Sequence, residues 1–260
     1  MEHSPFRWLL PLCVLAGLVL AWGLIVRLNN LPPYILPGPA LVLETLVNDR
    51  AVLLQSLLVT LRTTVLALGI AVAGGVGLAL IFASARIVEL SLFPIAVILQ
   101  VTPIIAVAPL MLIYLDTGTA VLVCAFIVAF FPILANTTLG LNSVDPNLRD
   151  LFALSGANAW QTLTQLKLPT ALPYFLGGLR IAGGLALIGA VVGEIAAGSA
   201  GQGSGLAFRI VESGYRLNIP RMFAALLLIS LAGIVIYMAL SLISWLALRR
   251  WHESALSRTN

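Results

Sequence analysis

Charge is scarce in this chain. Only 9% of its residues are Asp, Glu, Lys or Arg, against roughly 25% in a soluble globular domain, and lysine occurs once, at Lys167. Leu166 precedes that lysine, so no G-x-x-x-x-G-K-[ST] phosphate loop exists in the sequence. The two histidines, His3 and His252, stand at opposite ends, which excludes H-E-x-x-H and a histidine-based catalytic site. Cys13 and Cys124 fall in separate apolar segments and offer neither a disulfide framework nor a metal set. No basic run accompanies the net charge of +4, so no nucleic-acid partner is expected, and the arginines read as anchors at membrane edges. The Gly-rich stretch Gly198–Gly205 is not a G-x-G-x-x-G between a strand and a helix, and reads as a flexible loop. The chain is therefore expected to hydrolyse no nucleotide and to carry no cofactor or metal of its own.

What the sequence has instead is apolar length. Hydrophobic residues make up 60% of 260, and the mean hydropathy is +1.07. Six stretches are long enough to cross a hydrocarbon core of about 30 Å: Trp8–Leu28, Ser56–Ala83, Leu90–Leu115, Thr119–Leu141, Phe175–Ala197 and Phe223–Leu248. The first has the flavour of a signal peptide, with Arg7 before it and small residues near Ala21. Its apolar run from Trp8 to Val26 exceeds the 7–15 residues of a cleaved segment, so it reads as a retained span. Pro32, Pro33, Pro37 and Pro39 then forbid a continuous helix, and Ala40 to Asp49 suits a short helix lying in the interface. The expected organisation is an N-terminal span with its outer interfacial helix (1–55), followed by a membrane core (56–260). The fold class is all-α, a polytopic membrane protein of about six transmembrane helices.

Two spans carry small residues at four-residue spacing: Ala71, Gly75 and Ala79 in the second, Gly189, Gly193 and Ala197 in the fifth. Such faces let helices approach closely in lipid, either as static packing or as surfaces that slide. Polar residues inside spans include Gln100, Thr102, Asn136, Thr137 and Thr138. Gln100 and Thr102 precede Pro103 in QVTPIIAVAPL, a kinked stretch whose freed carbonyls need partners. They are candidates either for a solute path or for interhelical hydrogen bonding.

Between the fourth and fifth spans lies a polar stretch, Asn142 to Pro173. Asp145 followed by Pro146 is a helix start, and Leu148, Leu151, Phe152 and Ser155 recur at helical spacing. Gly156 ends that helix. Asn158 to Leu166 is expected to form a second short helix exposing Trp160 and Leu163, with Pro169 and Pro173 closing the segment. Two short helices joined at a glycine make a knob that can fit a groove on another protein, with Trp160 as its aromatic anchor.

The spacing of Gly156, Leu166, Leu168 and Pro169 resembles the cytoplasmic signature EAA-x3-G-x9-I-x-L-P of ABC importer permeases. The signature's acidic residue falls on Asp150 and its isoleucine on Leu166, while Leu151 and Phe152 depart from Ala-Ala. The stretch GLRIAGGLALIGAVVGEIAAG resembles the fifth span of the subfamily that takes up nitrate, sulfonates, taurine and thiamine precursors, with Glu194 at a recurrent acidic position. The outer segment bearing Glu212, Arg216 and Arg221 is similar to permeases for pyrimidine-type solutes. The resemblance implies a type I importer permease fold in the bacterial inner membrane, multi-pass, with both termini cytoplasmic. Eight basic residues fall inside on that orientation and six outside.

It further implies the partners: ATP-binding cassette subunits carrying ATP and Mg, a periplasmic or lipid-anchored solute-binding protein, a second permease copy, and membrane lipid. Coupling to the ATPase falls to Asp150, Ser155, Gly156, Ala157, Trp160, Leu166 and Pro169. The translocation path is expected to include Gln100, Thr102, Asn136 and Glu194, because a carboxylate in a span is costly unless it is paired or wet. For Glu194 a structural hydrogen-bonding role near the outer interface is the alternative. A secondary transporter or channel would show related halves and mid-membrane charge clusters, and a membrane enzyme would show a nucleophile, base or metal set. Neither pattern is evident in the sequence.

Overall fold

A computed structural model describes residues 6–198 and 203–249. The loop expectation at 199–202 and the basic residues Arg250 and Arg258 lie outside the described residues.

Helix α1 (Phe6–Leu28) is followed by the proline-rich turn and by α2 (Pro39–Asn48), which starts with Gly38 as cap and Pro39 in its first turn. Helix α3 (Arg50–Ser84) is one unbroken rod, and it spans the division drawn at residue 55. Its buried positions are Leu53, Ser56, Thr60, Thr64, Ala67, Ala71, Gly75, Ala79 and Phe82. They recur every three or four residues, as one helix face must. That face is polar from Ser56 to Thr64 and apolar on either side, at Leu53 and from Ala67 onward.

The third expected span, Leu90–Leu115, is not a single helix. It divides into α4 (Arg86–Val101) and α5 (Ile104–Tyr114), bent by 98°. Pro103 has no N–H to continue the ladder, and the residue before a proline is driven out of the helical region. Thr102 and Pro103 accordingly take extended backbone, ψ 123° and 111°. By length and composition the described helices supply five membrane spans, or six with the bent pair taken as one.

Helix α6 (Thr117–Asn142) begins where the Asp116 carboxylate accepts a hydrogen bond from Thr119 N–H at 3.0 Å. It lies antiparallel against α9 (Leu168–Ala197), and this pair is the spine of the bundle. Close approach is possible because glycines face backbone: a Cβ on Gly189 would lie 2.7 Å from Ala125 Cα, and one on Gly178 would lie 2.7 Å from the Pro132 carbonyl oxygen. Gly75 of α3 likewise faces Ile133 and Leu134 of α6. The small residues singled out in the second and fifth spans thus both pack on α6. With lipid on the outside, this van der Waals contact is what holds the helices together. The outward faces carry Leu18, Leu58, Ile87, Ile113 and Val235, all exposed, as a lipid-facing surface requires.

The remaining elements form caps at the two ends. Helices α7 (Pro146–Leu154) and α8 (Ala159–Gln161) lie between α6 and α9. At the opposite end of the bundle, α10 (Leu206–Tyr215) leads into α11 (Ile219–Leu248).

A projecting knob and a candidate translocation path

Helix α7 starts as the Asp-Pro pair dictates: the Asp145 carboxylate accepts from Asn147 N–H at 2.7 Å. The helix stops at Ser155, whose hydroxyl donates to the Leu151 carbonyl at 2.7 Å. Gly156 follows with φ +72°, a left-handed conformation that glycine adopts without steric cost. Ala157 N–H donates to the Phe152 carbonyl at 3.0 Å and completes the turn. Asp150 is exposed, as are Leu148, Leu151 and Leu154, the last at 89%. Trp160 is 71% exposed on the next turn. The two short elements therefore form a projecting knob with an apolar face.

The second half of the knob differs from expectation. It is not a separate helix closed by prolines. Asn158 and Gln161 form a reciprocal cap, each side chain accepting from the other's backbone N–H at 2.8 Å. From there the chain is helical without a break from Ala159 to Ala197. A π turn at Thr162–Lys167, in which Leu168 N–H reaches back five residues to Leu163, precedes Pro169. Prolines and π turns are the places where a helix absorbs distortion without ending, and Pro169 sits in the first turn of α9, where its missing N–H is tolerated. Leu163 is half-buried against the cluster around Phe82 and Leu141, not exposed. Leu166 is buried at 6% and faces the bundle, and Pro169 is half-buried. These two fasten the knob, while Asp150, Ser155, Gly156 and Trp160 form its outer surface. Lys167 adds a tie, its Nζ donating to the Ala83 carbonyl at the end of α3 at 3.4 Å.

The four expected path residues do not converge. Gln100 and Thr102 line a cavity of about 320 Å³ at the α4–α5 bend, together with Pro103, Ile127, Pro132 and Leu185. Thr102 spends its hydroxyl on the Ile98 carbonyl at 2.7 Å. Asn136 lies one turn from that cavity, its amide donating to the Pro132 carbonyl at 2.8 Å. Thr137 and Thr138 are buried on the same helix, their hydroxyls without a partner. Glu194 sits elsewhere, near the far end of α9. It is 5% exposed and accepts from the Thr60 hydroxyl at 2.7 Å and from Ala207 N–H at 3.0 Å. Thr60 and Ser56 escaped the sequence reading. The signal for them was present as Ser56, Thr60 and Thr64 on one helical face.

The family model described as "Binding-protein-dependent transport system inner membrane component" matches residues 71–254. The chain belongs to that permease family.

Among its relatives, the "Probable ABC transporter permease protein" of Haemophilus influenzae is 33% identical over 92% of this chain and 96% of that protein. The riboflavin transport system permease RibX of Chloroflexus aurantiacus is 34% identical over 94% and 90%. The formylaminopyrimidine transport permease ThiX of Halalkalibacterium halodurans is 31% identical over 92% and 94%. A crystal structure of an amino acid ABC transporter with histidines superposes with a TM-score of 0.62 at 20% identity, covering 77% of this chain and 96% of that one. That likeness concerns the fold. The permease is thus a multi-pass membrane transport component of an ABC importer family, built on an all-α bundle.

Proposed function

We propose that this permease forms the solute path of an ATP-driven importer in the bacterial inner membrane. Two copies pair with two ATP-binding cassette subunits on the cytoplasmic side and one solute-binding protein outside, with both termini cytoplasmic. The observation that carries this reading is the knob: an exposed apolar face on α7 and α8, pivoting at Gly156, continuous through the π turn with the 39-residue helix Ala159–Ala197. Movement of a partner bound at Trp160 and Leu154 is delivered straight into the spine of the bundle. Asp150, Ser155, Gly156, Ala157 and Trp160 meet the ATPase, and Leu166 and Pro169 hold the knob to the bundle.

Solute passes beside the α4–α5 bend, where Gln100 and Thr102 bring the few polar groups of an otherwise apolar cavity, with Asn136 one turn away. The hydrogen bonds around Glu194 support the structural role left open by the sequence over direct contact with solute. ATP and Mg act on the partner subunits, and the permease contributes no catalytic residue. RibX and ThiX are named for riboflavin and formylaminopyrimidine, both nitrogen heterocycles, and this supports a heterocyclic solute ahead of a sulfonate. A secondary transporter lacks an explanation for the knob.

The test is reconstitution with a cognate ATP-binding cassette ATPase and solute-binding protein. ATP-dependent uptake that disappears when Gly156 is replaced by valine, with the chain still inserted, is the expected result. Uptake by the permease alone, without ATPase, would overturn the reading. A thermal-shift screen of the binding protein against flavins, pyrimidines and sulfonates identifies the solute.

A further inference from the structure

The first turn of α10 is held by side chains from two other helices. Leu206 N–H donates to Thr60 Oγ1 at 2.9 Å, and Ala207 N–H donates to Glu194 Oε2 at 3.0 Å. The Thr60 hydroxyl in turn donates to Glu194 Oε1 at 2.7 Å, with the Ser56 carbonyl at 3.3 Å as its alternative acceptor. A turn farther on, Arg209 Nε donates to Ser56 Oγ at 3.0 Å. Leu206 and Ala207 are fully buried. Gly205 leaves no room for a side chain, since its Cβ would overlap the Glu194 carboxylate. One carboxyl group and one hydroxyl thus satisfy N–H groups that a helix start leaves orphaned.

Two further observations bear on what this contact is for. The connections at both ends of α10 pass through left-handed backbone, at Gly198 (φ +55°) and Leu217 (φ +55°). Leucine is disfavoured there, so that turn is held under strain. The face of α3 that receives α10 carries Ser56 and Thr60 beside Leu53, which is buried in one apolar cluster with Leu206, whereas deeper in the bundle the same face is alanine and glycine against α6. An apolar seam that opens exposes surface water cannot satisfy. A seam of carboxylate, hydroxyl and backbone N–H opens onto groups that water solvates at once. The bundle therefore uses a dry seam between α3 and α6, and at α10 a mixed one in which the polar groups hold the helix start beside the apolar Leu53–Leu206 contact.

We infer that α10 is a moving part of the gate at the end of the bundle opposite the coupling knob, and that Glu194 and Thr60 are the positioning residues that latch it closed. This rests on the importer reading above. In each cycle the Leu206 and Ala207 N–H groups leave Thr60 and Glu194, water takes their place, and the latch re-forms.

The test uses the full transporter, permease with ATPase and binding protein, in proteoliposomes, with Cys13→Ser and Cys124→Ala as background. In a Ser213→Cys variant the new thiol lies on the buried face of α10, and its maleimide labelling rate reports undocking. ATP turnover is expected to raise that rate several-fold. Glu194→Leu should raise it without ATP. Glu194→Gln should fall between, because its carbonyl can accept from Ala207 N–H while its amide donates to Thr60. A static brace leaves the rate unmoved by ATP, and that result would overturn the proposal. In a Ser56→Cys/Arg209→Cys variant, a reducible bis-thiosulfonate cross-link should abolish uptake of riboflavin or formylaminopyrimidine, with full return on reduction. Full uptake in the cross-linked state would also overturn it. If Glu194→Leu does not assemble, the comparison stands on Glu194→Gln and the cross-link. ATP-independent uptake in the uncross-linked parent would instead count against the importer reading itself.

Discussion

Replacing Gly189 by alanine tests the spine of the bundle directly. The added Cβ would lie 2.7 Å from Ala125 Cα and 2.9 Å from the Cys124 carbonyl oxygen, while carbon atoms rest at about 3.5–4.0 Å. Both neighbours are backbone and cannot swing aside, so α6 and α9 must part by roughly 1 Å. A gap of 0.5–1 Å already forfeits a quarter to a half of a van der Waals contact, and overpacking of this kind costs about 1–3 kcal/mol. Alanine recovers about 1 kcal/mol of helix propensity over glycine, leaving a net loss of up to about 2 kcal/mol. Gly184, on the same helix, is the control. Nothing lies within 4 Å of its added Cβ, so Gly184→Ala should gain about 0.5–1 kcal/mol.

The propensity gain is common to both, so the two variants should differ by about 1–3 kcal/mol, or roughly 2–12 °C in melting temperature at about 2–4 °C per kcal/mol. Cys124 is 1% exposed and lies on this interface, so a fluorogenic thiol reagent in a Cys13→Ser background reports the helices coming apart on heating. Equal melting temperatures for the two variants would refute the close approach of α6 and α9.

Three other outcomes are expected. Gly156→Asn should keep coupling, since asparagine tolerates left-handed backbone, whereas Gly156→Val carries a strain of about 2 kcal/mol or more at φ +72° and should lose most ATP-driven uptake while the chain still inserts. Cysteines replacing Leu154 and Tyr215, both more than four-fifths exposed, should be labelled from opposite faces of the membrane by an impermeant maleimide, because one span separates them; labelling from one face would break the topology. Glu212 accepts from Arg209 at 2.8 Å and from Arg216 at 3.0 Å, and the Arg209 hydrogen bond holds its carboxyl below the ordinary range. A lowered pKa stabilises the fold above the ordinary carboxylate range and stops doing so as pH falls through the folded value. Glu212→Gln should accordingly melt lower than the parent at neutral pH and converge with it in acid.

Local chemistry made some of this protein legible and hid the rest. The spans were readable because an apolar run of membrane length has few other uses, and α7 because Asp145-Pro146 and Gly156 act on their immediate neighbours. The α4–α5 break was announced by Pro103, but its 98° angle is set by packing against α6 and α9. Pro169 and Pro173 suggest the end of a segment, yet they lie inside a continuous helix. The Asn158–Gln161 cap, a local signal, went unread. The setting of Glu194 lay beyond reach for another reason: its hydroxyl donor, Thr60, is 134 residues away in sequence, and no periodicity links two such positions.

The unbroken run from Ala159 to Ala197 fixes an angle as well as a distance. Each residue of an α-helix advances the chain by about 1.5 Å and turns it by about 100°, so Trp160 and Glu194 are locked in azimuth as two marks on one shaft. The turn around Pro32 can gain or lose residues at little cost, but the shaft cannot. One residue inserted between Ala171 and Val192 would swing Glu194 off Thr60 and aim its carboxylate toward a helix or the lipid. The π turn at Thr162–Lys167, one residue wider than an α turn, is where that phase is set, and straightening it by a single deletion would rotate the knob around a bundle that had not moved.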